Sequence, residues 1–158
     1  MRIHSLHVIG LGLLLSLPAL ACKPCDSDAL AYSLYNNSVV LVGKAVAIGE
    51  GPADVIAQNQ KDNNMWKEKP YSVPVTIEIE EVISAGKEAG LKPGSRFETK
   101  SHHSPPCKSI ALPKVGERTL FFPEDYGNCS SFAFQFEGDK VDGRTLKEVR
   151  ALSAKRRR

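Results

Sequence analysis

The chain has 158 residues, 42% of them hydrophobic and 25% charged, a balance that excludes an intrinsically disordered chain and an integral membrane protein. Its formal net charge is +3, but Arg2 and the tail cations Lys155, Arg156, Arg157 and Arg158 supply five positive charges, so the body between them is near −2. A body of that sign argues against a nucleic-acid-binding domain.

Residues 1–21 read as a secretory signal peptide. Arg2 gives a short positive n-region, Leu6 to Leu17 an apolar h-region, and Pro18-Ala19-Leu20-Ala21 a small-residue cleavage site. The apolar stretch is too short to span a bilayer as a helix. Cleavage after Ala21 leaves 137 of the 158 residues, enough for one modest core, and makes Cys22 the first residue of the mature chain. The competing processing is that of a lipoprotein, with a lipid anchor on Cys22. Ala19 and Leu20 depart from the branched-then-small order of a bacterial lipobox, which favours cleavage without lipid. Either route leads to an oxidising location, secreted or periplasmic.

Asp26-Ser27-Asp28 offers N-cap oxygens to a short helix carrying Leu30 and Leu34, stopped by Asn36-Asn37. Ser38 to Ile48 is a strand with Val40, Val42, Val46 and Ile48 on one face and Val39, Leu41, Gly43, Ala45 and Ala47 on the other. Apolar residues on both faces mark a central or strongly curved strand, and Gly43 permits a bend. Residues 49–70, with Gly49, Gly51, Pro52 and a run of Gln, Asn, Lys and Asp, read as a long polar excursion between strands. Met65 and Trp66 stand at its far end, either tucked back as a lid or exposed as a recognition loop.

Val73, Val75, Ile77 and Ile79 alternate with polar or exposed positions and form the cleanest strand, whose alternation slips at Glu80-Glu81 as a β-bulge would cause. A Gly- and Pro-punctuated loop over 84–94 precedes a strand with Phe97 and Thr99 inward, ended by Pro105-Pro106. Thr119 to Phe122 is a strand closed by Pro123, and Phe132, Phe134 and Phe136 alternate in a fifth. After a turn at Gly138-Asp139, Asp142 is placed to cap a last helix with Leu146, Val149 and Leu152. Residues 153–158 form a basic tail. The expected fold is mostly β: a five-stranded Greek-key barrel of the OB type with a short N-terminal and a C-terminal helix.

The four cysteines, Cys22, Cys25, Cys107 and Cys129, read as two disulfides, with three pairings open. A thioredoxin-type use of Cys22-Lys23-Pro24-Cys25 would need a preceding strand, and none precedes it. A zinc site would need a second close pair of ligands, whereas Cys107 and Cys129 lie far apart and His102 and His103 are adjacent and point different ways. If each N-terminal cysteine pairs with a distal one, the loops close roughly 80 to 110 residues and contribute about 4 to 5 kcal/mol apiece as an upper bound. No nucleophilic triad, phosphate loop or carboxylate pair stands out, so a non-enzymatic protein without cofactor or intrinsic metal is expected.

The order of these features resembles the netrin-like domains, and among them the N-terminal domain of the tissue inhibitors of metalloproteinases. The residues that carry the resemblance are Cys22 with Cys25 close behind, the short helix, Ser38-Val39-Val40-Leu41-Val42-Gly43-Lys44-Ala45-Val46, the strand over 73–82, Cys107, Gly116-Glu117-Arg118-Thr119-Leu120-Phe121-Phe122, and Cys129. It covers roughly residues 22–152. It implies an OB-type barrel and pairing of Cys22 with Cys107 and Cys25 with Cys129. It also implies a secreted inhibitor of a zinc metalloendopeptidase. Cys22 would chelate the enzyme's zinc through its α-amine and carbonyl, Lys23 would enter the specificity pocket, and the loop around Cys107 and the 49–70 excursion would flank them. The Cys-x-x-Cys spacing is one residue longer than the inhibitors' Cys-x-Cys, and Lys23 replaces a small hydroxyl residue. The alternative expectation is a netrin-like binding or structural module of the cell envelope with no protease target.

Overall fold

The computed structural model describes residues 28–62, 64, 67–88, 90–105, 112–124 and 131–155. In chain order these form α1 (Ala29–Asn36), β1 (Val39–Ile48), α2 (Ala53–Asp62), β2 (Tyr71–Ala85), β3 (Arg96–His103), β4 (Arg118–Phe121), β5 (Ala133–Glu137), β6 (Lys140–Val141), β7 (Arg144–Thr145) and α3 (Leu146–Lys155).

All seven strands belong to one antiparallel sheet in the order β3-β2-β1-β4-β5-β6-β7. β1 is central because its sequence has no solvated face: Val39, Leu41 and Ala45 are buried on one side, Val40 and Val42 on the other. On the first side lie Val75, Ile77 and Ile79 of β2 together with Phe121 and Phe132, forming the interior of the sheet. On the second, Leu120, Phe122 and Val141 pack under Leu30 and Leu34 of α1 and Val149 of α3.

The sheet curls around its interior. Thr99 of the edge strand β3 reaches the Pro123 carbonyl, just beyond β4, at 3.4 Å. In a flat sheet β3 and β4 would be separated by two strands, about 14 Å at ordinary strand spacing. Phe97 of β3 likewise packs into the cluster that holds Phe132 and Ala133. Among the described residues no backbone ladder joins β3 to the other edge, so the curl does not close into a complete barrel.

Four expectations change. The strands number seven, not five, because the segment 140–145 folds into an extra hairpin, β6–β7, turning at Asp142-Gly143, both at positive φ. Asp142 therefore belongs to a turn and does not cap the last helix. That role falls to Thr145, whose side chain and backbone N–H both bond Glu148 in a capping box. The 49–70 excursion contains α2, whose start follows Pro52 and is sealed by the Ile56 N–H on the Pro52 carbonyl. Finally, Phe132 lies before β5 and turns into the sheet interior, whereas Phe134 and Phe136 face the helices.

The β-bulge expected at Glu80-Glu81 is present. The register between β1 and β2 shifts there, where Val42 opposes Glu81 and Gly43 opposes Ile79, and again past Ile83. A further shift near Val46 turns Ile48 toward the sheet interior, opposite to simple alternation from Val40.

Candidate functional site

The residues that the resemblance assigns to an inhibitory terminus and its flanks, Cys22, Lys23, Cys25, Met65, Trp66, Cys107 and Cys129, lie outside the described residues. Their described neighbours define two regions of the molecule.

The first is the junction of α1, the start of β1 and the segment between β4 and β5. Asp28 caps α1 through its Oδ1, which accepts from the Ala31 N–H at 2.9 Å, and it also forms an ion pair with Arg144. At the other end of the helix, Asn37 turns the chain, with its side-chain amide on the Ser33 carbonyl at 2.8 Å. Ser38 then meets Glu124: one carboxylate oxygen accepts from the Ser38 N–H at 2.7 Å, the Ser38 hydroxyl at 2.5 Å and the Val39 N–H at 3.3 Å. Gly86, at φ +56°, leaves the space that a Cβ would take from the Ser38 side chain. The Ser131 N–H donates to the buried Ser33 hydroxyl at 3.0 Å. Ser131 thus ties one end of the segment bearing Cys129 to the helix that follows Cys25, and Glu124 ties the other end to the start of β1.

The second region is a cleft between α2 and the β2–β3 edge. Ile56, Asn59 and Gln60 share one face of α2, at the three- and four-residue spacing that brings side chains together. With Glu68, Tyr71 and His103 they line a cavity of about 230 Å³. Asn59 is 8% exposed and acts as a backbone surrogate: its amide donates to the Lys69 carbonyl at 2.9 Å and its oxygen accepts from the Lys69 N–H at 2.8 Å. This pairing ties Lys69, just before β2, to the last turn of α2. Glu68 Oε2 lies 2.9 Å from His103 Nε2, and the Tyr71 and His103 rings meet at 4.8 Å between centroids with a 40° tilt. His103 Nδ1 is enclosed, without a hydrogen-bond partner among the described residues.

The adjacent histidines do point different ways. His102 is exposed on the opposite strand face, its Nδ1 2.7 Å from the Ser72 hydroxyl. His103 is half-buried in the cleft, not solvated. Sequence reasoning missed this cleft because it depends on α2. The signal was present in Pro52 at the helix start, Asp54 in its first turn, Lys61 in its last, and the absence of Gly and Pro from 53–62.

Elsewhere a bidentate charge pair joins α3 to β2. Arg150 Nε and Nη2 each lie 2.7 Å from a Glu81 oxygen. These bonds, above all, hold the Glu81 carboxyl below the ordinary glutamate range and push the Arg150 guanidinium up. Glu148 is also lowered, first by the backbone N–H of Thr145 and then by its hydroxyl. A second cavity, about 280 Å³ and mostly apolar, lies between α1 and α3 against Leu34, Tyr35 and Leu152. Among the described residues no three His, Cys, Asp or Glu side chains gather closely enough to hold a metal ion, and no helix is long and apolar enough to cross a membrane.

Compared with models of known protein families and with curated protein sequences, the chain matches none.

Proposed function

We propose that the chain is an extracytoplasmic binding domain of the OB type, netrin-like in architecture, that inhibits a zinc metalloendopeptidase through a mature N-terminus at Cys22. The observation that carries the proposal is strand order. β4-β1-β2-β3 is the spatial order of a Greek key, and β5 lies beyond β4 in a sheet curled around one interior. This order and the curl support reading β1 to β5 as a partly open Greek-key barrel, to which β6 and β7 would add a small hairpin before α3.

Two further observations support the reading. The bond from Ser131 to Ser33 holds the residue two positions after Cys129 against the helix whose cap, Asp28, is three positions after Cys25. This proximity of flanking residues favours pairing Cys25 with Cys129, leaving Cys22 for Cys107. In addition, the end of β3, four positions before Cys107, pairs with the start of β2, five positions after Trp66, since His103 is opposite Tyr71.

The chemistry of such a terminus follows from its groups. A catalytic zinc keeps one position open for water, which an α-amine and a carbonyl oxygen on the same residue can displace together. The α-amine has an ordinary pKa of about 8, so deprotonation costs little at neutral pH. A disulfide on that same residue reduces the ordering penalty of binding. Lys23 would then select an enzyme whose pocket tolerates or pairs an ammonium, because an apolar pocket would reject it. In this reading the protein has no catalytic residues and carries no cofactor.

The test uses mature protein whose N-terminus is verified as Cys22 by mass spectrometry, assayed against a panel of zinc endopeptidases. Inhibition at micromolar concentration, abolished when one alanine is added before Cys22, is the expected result. Absence of inhibition with the correct terminus and disulfide map overturns it. An envelope binding module without a protease target is the second reading, favoured by the cleft between α2 and β3. Acylation of Cys22, visible in intact mass, would block the amine and decide for it.

A further inference from the structure

We infer that the cleft between α2 and the β2–β3 edge is a binding site for the arginine side chain of a partner protein. The inference is independent of the Cys22 terminus and of any protease target.

The groups that face the cleft are acceptors and aromatic surface. Among the described residues Glu68 bonds His103 through Oε2, which leaves its second carboxylate oxygen to receive a donor. Gln60, exposed at the rim, adds an amide oxygen. Tyr71 and His103 supply a tilted aromatic wall, and Ile56 an apolar floor for a methylene stem.

Orientation reinforces the charge preference. Asn59 and Gln60 belong to the last turn of α2, whose carbonyl end carries partial negative charge and favours a cation. Lys61, Lys67 and Lys69 are nearby cations, but they are exposed to solvent, where screening weakens their repulsion of a charge held inside the cleft. Asn59 is not available, since both ends of its amide are occupied by Lys69. The remaining set of a carboxylate oxygen, the Gln60 amide oxygen and a ring face is what a guanidinium recognises, with its several donors in one plane and its affinity for aromatic faces.

The experiment follows backbone amide shifts of the full mature chain during titration with Nα-acetyl-arginine amide and, separately, with its citrulline counterpart, which has nearly the same shape and no charge. Arginine is expected to shift amides near Asn59, Gln60, Glu68, Tyr71 and His103 with about millimolar affinity, and citrulline to bind at least tenfold more weakly. Glu68→Gln is expected to lower the arginine affinity at least fivefold, with unchanged shifts in β1 and β4 showing an intact fold. Equal binding of the two ligands, or shifts lying elsewhere, overturns the assignment without requiring any variant. If shortening the chain before Arg156 moves the same amides with no ligand added, the occupant is the chain's own tail and the partner assignment falls. No arm depends on protease inhibition, so this result and that of the inhibition assay are separable.

Discussion

At Gly43 the central strand passes so close to β2 that a Cβ would fall well inside contact distance of the Glu78 carbonyl oxygen and meet Ile77 Cγ2 at 3.1 Å. The register shift between Val42 and Gly43 lies at the same point, so the missing side chain allows the two strands to close over a bulge. The atom in the way is backbone, which cannot rotate aside as a flexible side chain would. Gly43→Ala should therefore destabilise the fold by about 1 to 3 kcal/mol, the ordinary range for overpacking. Urea unfolding checks this: the midpoint should fall with the slope unchanged, and an unaltered midpoint would mean that the strands separate at no cost. Glu124 works by the opposite means, filling space with charge. One carboxylate oxygen gathers three donors from Ser38 and Val39, tying residues far apart in sequence at the point where α1 hands over to β1.

Between elements, the Arg150–Glu81 pair fastens α3 to β2 across an exposed surface. Its effect depends on pH with a defined sign. Glu81 is held below its ordinary range in the folded protein, so the stability linked to it is fully present above the unfolded-state value and is lost as pH falls through the folded one. Arg150→Ala should return the Glu81 titration toward the ordinary range, as followed by its carboxyl carbon shift. The stability difference between parent and variant should be largest near neutrality and shrink in acid. A difference that grew in acid would show that the pair does not form in solution. Such element-to-element ties were illegible in the sequence, because Glu81 and Arg150 are 69 residues apart and nothing local marks them as partners. The elements were more legible where one periodicity was strong. The alternation through Val73, Val75, Ile77 and Ile79 placed β2, and the slip at Glu80-Glu81 its bulge. α2 escaped notice because its buried face is a single asparagine flanked by half-buried Val55 and Ile56, so the segment reads as polar. The Asn59 bonds to Lys69 fasten the helix at its one buried position, and a hydrogen-bonded surrogate of that kind leaves no hydrophobic signature.

For the molecule as a whole, the decisive feature is that the sheet buries both of its faces around β1, with two separate apolar clusters. One lies within the curl of the sheet and is made by strands and the segments joining them, with Phe132 and Leu91 added from outside the strands and no helical residue. The other requires α1 and α3, which arrive from opposite ends of the chain and meet over β1 and β4. Cooperativity therefore depends on the C-terminal helix: without it, Val40, Val42, Leu120 and Phe122 would lose the cover of Val149 and its neighbours Leu146 and Leu152. Ending the chain after Thr145 is expected to leave β-sheet ellipticity in the far ultraviolet but to abolish sharp thermal unfolding and to induce binding of a hydrophobic dye, the signature of a compact chain with loosened packing. Val149→Ala removes only part of that cover and should cost about 1 to 3 kcal/mol while retaining a cooperative transition. The contrast separates two accounts of the fold. If the truncated chain still melts sharply, the strand-made interior is a self-sufficient barrel and the helices are accessory. If it does not, the strands close into a stable interior only when the helical layer presses on their other face, and any function of the curled sheet depends on both chain ends being in place.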